Sequence, residues 1–88
     1  VADETPEIDI DKLQEQIAQL RVDDVLAGAA STLASVAYAK LAADDRVDAK
    51  RAIDALAKIV PQIEDEDLKR DLGAALANLQ VAFTDRRL

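Results

Sequence analysis

Val25-Leu-Ala-Gly-Ala-Ala-Ser-Thr-Leu-Ala-Ser-Val-Ala-Tyr-Ala39 carries no charged residue, in a chain of which 33% is charged. A surface helix of a soluble protein shows a polar face to water, and this run has none to show. It is therefore expected to be wrapped by other helices, from its own chain or from a second copy. Two stripes run along it at helical spacing. Leu26, Ala30, Leu33, Ala37 and Leu41 form one and suit an intramolecular core. Val25, Gly28, Ala29, Thr32, Ser35, Val36 and Ala39 form the other, and small residues there admit close approach by another helix. Asp23 and Asp24 set carboxylates at the positive N-terminal end. A helix over 23–42 follows, with Leu26, Leu33, Ala37 and Leu41 expected inside.

On the N-terminal side, Ile10, Leu13, Ile17 and Leu20 recur at steps of three and four, a short coiled-coil-like seam. The pattern predicts a helix over 9–21, capped by Asp9 or Asp11. A helix this short is marginal in water and must dock on something. Residues 1–8, acidic and containing Pro6, are expected to form a mobile acidic arm, leaving 9–88 as a single helical domain.

On the C-terminal side, Asp44, Asp45 and Arg46 read as a connection, with Asp45 or Asp48 capping a helix over 46–60. Its core face is Ala49, Ala52, Ile53, Leu56, Ile59 and Val60, and Pro61 ends or kinks it. Ile63 is expected to tuck under the turn that follows. Glu64-Asp65-Glu66-Asp67 then opens a helix over 65–85, with Leu68, Leu72, Ala75, Leu76, Leu79 and Phe83 as its apolar stripe. Arg86 and Arg87 suit the negative C-terminal end of that helix. The expected fold is all-α: a compact antiparallel bundle of four helices, the second one central.

Composition narrows the function. The formal net charge is -7 and acidic residues outnumber basic ones by 18 to 11, so no nucleic-acid partner is expected. The chain has no Cys and no His, which removes thiolate chemistry, the commonest general base and the commonest metal ligand. No enzyme activity and no cofactor are expected. No stretch resembles a signal peptide, and the neutral run alone is shorter than the roughly 20 apolar residues a bilayer span needs. A cytoplasmic protein without a membrane partner is the expectation.

Several motifs resemble an uncharacterised bacterial family, the domain-of-unknown-function family numbered eighteen forty-four, especially its actinobacterial branch. The matching positions are Lys40-Leu41, then Asp45, Ala49-Lys50 and Ile53-Asp54-Ala55-Leu56-Ala57, and finally Leu76, Leu79-Gln80 and Ala82-Phe83. The likeness covers about two-thirds of the chain, from Asp24 to Phe83, and leaves the first helix outside. Ala42 stands where the family tends to have Gly, and Gly73-Ala74 where a charged pair is usual. The resemblance implies a compact helical protein of the cytoplasm. It brings no activity and no catalytic residue.

The polar candidates are weak as chemistry. Glu64 to Asp67 lacks the spacing of a calcium loop and reads as a solvated helix start. Asp44, Asp45 and Asp48 sit beside Arg46 in a polar connection, which suits capping rather than acid–base work. Ser31, Thr32 and Ser35 have no base nearby in sequence, and their hydroxyls are expected to bond a carbonyl one turn back. Tyr38 reads as a ring at the core edge with a wet hydroxyl, or a rim contact. Gln80, among apolar neighbours, suits setting helix register more than binding a ligand.

The function expected is therefore a protein–protein interaction module or accessory subunit acting through helix packing, as a homodimer or with another protein. Gly28, Thr32, Ser35, Tyr38, Ala39 and Gln80 are its candidate contact residues. The alternative is a regulatory module holding a small apolar ligand between helices.

Overall fold

A computed structural model describes residues 9–85. The expected arm at 1–8, and Arg86 and Arg87, lie outside the described residues. Four α-helices follow in order: α1 (Ile10–Ala18), α2 (Val22–Ala42), α3 (Arg46–Ile59) and α4 (Glu66–Asp85), with a single 3-10 turn over Val60–Gln62 between the last two. Among the described residues there is no strand, and 87% are helical.

Several boundaries have a local cause, whereas the start of α2 at Arg21 has no side-chain cap. The Asp9 carboxylate accepts the Lys12 N–H at 3.2 Å and starts α1. Asp45 does the same for α3, accepting the Asp48 N–H at 3.1 Å. Asp65 precedes α4 and accepts the N–H groups of Asp67 and Leu68 at 3.0 and 3.2 Å. The end of α2 is a Schellman turn, in which Asp44 N–H donates to Leu41 O at 3.0 Å and Asp45 N–H to Lys40 O at 2.8 Å. Asp44 takes φ 60 there, the only positive φ among the described non-glycine residues. Pro61 sits in the first positions of the 3-10 turn, where its missing N–H is not needed.

The core forms where α2, α3, the 3-10 turn and α4 meet. Ala30, Ala37 and Leu41 of α2 join Ala49, Ala52, Ile53 and Leu56 of α3, together with Val60 and Leu79, in one buried cluster. The alanines are fully or nearly fully enclosed, because a methyl group lets two helix backbones approach closely. Ile63 is buried beneath the turn, as expected. Leu72, Leu76, Ala82 and Phe83 cover the cluster from α4 as half-buried side chains.

Two expectations need correction. First, α1 contacts none of the other helices, so the packed unit comprises three helices rather than four. The radius of gyration is 18.0 Å, against about 12 Å for a compact chain of this length, and the longest dimension is 63 Å. A 21-residue helix such as α2 is only about 31 Å long, so α1 projects well beyond the packed unit. Second, the neutral helix is not wrapped. Ala37 and Leu41 are buried as expected, but Leu26 and Leu33 are only half-buried, and the far side of α2 is bare. Helices α3 and α4, which also pack on each other, cover one face of α2 and leave the other to solvent.

Candidate functional site

The bare side of α2 carries the stripe singled out in the sequence. Gly28, Thr32, Ser35 and Ala39 are all exposed and lie on the helix face opposite Ala30, Ala37 and Leu41. Val25 and Val36 border them, 56% and 39% exposed. The Thr32 hydroxyl donates to Gly28 O at 3.0 Å, the bond to the preceding turn expected of it. Ser31 and Ser35, of which the same was expected, make no such bond among the described residues, so the stripe presents methyl and backbone surface together with the exposed Ser35 hydroxyl. A Cβ added at Gly28 would meet nothing within 4 Å. Tyr38, half-exposed, lies about 100° around the helix from Ala39 and forms the border rather than the middle of this face.

Gln80 is not brought to this surface. It is exposed on α4, where it lines a shallow depression of about 380 Å³ with Ala77, Val81, Thr84 and Asp85. Its side chain takes part in no contact between the packed helices among the described residues, so a register role would belong to a surface other than the α2 face. A second depression of about 390 Å³ lies between Arg21, Val22, Asp23, Gln62 and Glu64. It is open and largely polar.

The seam of α1 is the other unpartnered apolar surface. Ile10, Leu13, Ile17 and Leu20 are 62%, 45%, 57% and 59% exposed. No residue of α1 is buried.

Two long-range clasps escaped the sequence analysis. Asp23, at the start of α2, accepts the N–H groups of Glu64 and Asp65 at 3.0 and 2.8 Å and so holds the segment that leads into α4. The Glu64 N–H chiefly, with help from the Asp65 N–H and the Arg21 charge, holds the Asp23 carboxyl below its ordinary range. Arg46, at the start of α3, donates from Nη1 to Phe83 O at 3.0 Å, and its guanidinium lies 3.9 Å from the Phe83 ring centre. It thus puts positive charge at the carbonyl end of α4, where Arg86 and Arg87 were expected to act. Partners 37 to 42 positions apart leave no periodic trace, so no one-dimensional signal pointed to either clasp.

Among the described residues, no group of three or more acidic, His or Cys side chains could hold a metal ion. The acidic residues at 64–67 are engaged in starting α4 and in the clasp to Asp23. By length and composition α2 could cross a membrane: it has 21 residues and a mean hydropathy of 1.4 in its most apolar window, of which 17% is buried. The neutral run is thus continued at both ends by residues that lengthen the helix.

No family model matches this chain, and no curated protein or solved structure matches it significantly.

Proposed function

We propose that this protein is a small, acidic, non-catalytic interaction module that works by helix packing, and that its partner is a second copy or another protein with an apolar helical face. One observation carries this: α1 displays Ile10, Leu13 and Ile17 and packs against no other helix among the described residues, while α2 bares an uncharged face. Apolar surface exposed on two helices at once costs free energy in water until something covers it.

In this proposal α2, α3 and α4 run alternately up, down and up, with α2 central to the assembled unit. The clasps support that arrangement, since the start of α2 lies at the start of α4 and the start of α3 at the end of α4. The family resemblance fits a compact helical protein and adds no chemistry. A cytoplasmic setting without nucleic acid fits the charge of -7.

Membrane crossing by α2 has less support than packing. The helix is held against α3 and α4, whose outer sides carry Lys50, Arg51, Asp54, Lys58, Arg70 and Asp71, and a span would carry those charges into hydrocarbon or break the core. An apolar ligand between the helices is also less supported, since both depressions are open to solvent and hold charged or polar side chains.

The test is amide hydrogen exchange and sedimentation of the same sample across a wide concentration range. Association should appear, with new protection confined to α1 and the outer face of α2. A monomer whose α1 stays unprotected at every concentration, and which floats with neutral or anionic vesicles, would replace packing with membrane binding.

A further inference from the structure

We infer that the partner is a second copy of this chain, and that α1 of each copy lies along the bare face of α2 in the other. This rests on the interaction reading above and specifies its geometry. Three observations meet here. The first is area. A folded monomer of 9.5 kDa exposes about 5,000 Å², whereas this chain exposes 6500 Å². A standard interface covers about 800 Å² on each partner, so the excess of about 1,500 Å² per chain is more than a stable dimer needs to bury.

The second is the match of the two surfaces. From Ile10 to Ile17 the α1 seam extends about 10 Å, with Leu20 just past the helix end, and from Val25 to Ala39 the α2 face extends about 21 Å, so one accommodates the other. Ile10, Leu13, Ile17 and Leu20 are large side chains that project, and Gly28, Ser35 and Ala39, bordered by Val25 and Val36, form a low surface that receives them. No charge on the α2 face has to leave water when it is covered.

The third is the link between the helices. Arg21 is extended (φ -84, ψ 134), and α1 leads away from the packed unit instead of folding back on its own α2. A projecting helix reaches a neighbour. Because each copy both gives and receives an α1, the contact closes on a two-fold axis and association stops at the dimer. Two chains of charge -7 repel one another, so salt should tighten this dimer by screening, the reverse of a charge-driven contact.

The chain has no cysteine, which makes a single spin label practicable. Glu15 lies on the side of α1 away from the seam, so Glu15→Cys carrying a nitroxide leaves the seam intact. The unlabelled spin-bearing chain is mixed with isotope-labelled wild type, and amide signals of the wild type are recorded. Line broadening is expected at Gly28, Thr32, Ser35 and Ala39 of the wild-type chain. Ile17→Glu and Gly28→Leu should each raise the dimer Kd at least 10-fold and abolish that broadening. The open space around Gly28 means that the added Leu does not disturb the monomer, which circular dichroism of the same variant verifies.

Two results overturn the inference, and they differ. If the wild-type amides stay sharp, sedimentation reads a monomer, and a second sample carrying isotope and nitroxide on the same chain shows broadened α2 amides, α1 closes over its own α2, and the interaction reading falls with it. If a dimer forms but the α2 amides are untouched by the partner's label, the exchange of α1 is wrong while the interaction reading stands.

Discussion

Helices α3 and α1 are both amphipathic, with apolar residues at steps of three and four, yet their fates are opposite. Four residues of α3 are buried in the core, and none of α1 is. The difference originates in the links that flank them. Between α2 and α3 the chain passes through the left-handed conformation at Asp44, and the Schellman bonds turn it back so that α3 meets α2. Between α1 and α2 there is no such residue: Gln19 remains in the right-handed region and Arg21 is extended. An amphipathic pattern states that a helix needs an apolar neighbour. The link decides whether that neighbour is in the same chain.

The comparison would break first at Leu56. Leu56→Ala removes a side chain with no exposure and should cost about 2–5 kcal/mol in denaturant unfolding. A cost under about 1 kcal/mol would mean that the α2–α3 core is loose.

Next in size is Arg46→Ala, which deletes both the bond to Phe83 O and the contact with its ring. A loss of about 1–2 kcal/mol is expected for this part-buried pair. The Phe83 and Thr84 amides should exchange faster with solvent in the variant.

Leu33→Ala sharpens the contrast between the two sides of α2. Since Leu33 is only half-buried, the expected cost is about 1 kcal/mol, well below that of Leu56. Equal costs at the two positions would mean that Leu33 is covered in solution by something beyond its own core.

Asp23 yields a smaller effect that depends on pH. Its carboxyl is held below the ordinary value by the Glu64 N–H first and then by Asp65 N–H and Arg21, so its stabilisation is present above that ordinary value. It is lost as pH falls through the lowered value. Wild type and Asp23→Ala should therefore differ at neutral pH and converge in acid, as read by thermal unfolding at a series of pH values.

The smallest change is expected at Ile17. In the dilute monomer, Ile17→Ala should alter stability by no more than about 0.5 kcal/mol, because the side chain is 57% exposed and α1 packs against no other helix among the described residues. A larger loss at high protein concentration alone would place the seam in a contact between molecules.

Much of the fold was legible before any coordinates. The seams of α3 and α4, the start signals at Asp9 and Asp45, and the stop at Pro61 all express short-range rules, and each lies where the spacing placed it. The stripe on α2 was legible too, because a missing charge is visible residue by residue. The placement of Gln80 away from the α2 stripe was not legible, since which face of α4 it shares with other contact residues depends on how the helices pack. Nor could the Asp23 and Arg46 clasps be seen, as each joins helix ends brought together only by packing.

By itself, then, the sequence determined the helices, their caps and their apolar faces, because hydrogen bonding and side-chain direction in a helix are set by residues within one turn of each other. Only the tertiary structure decided which of those faces are covered. Burial depends on where the links send each helix, and here they direct three together and one away, leaving α1 and the outer face of α2 open to water.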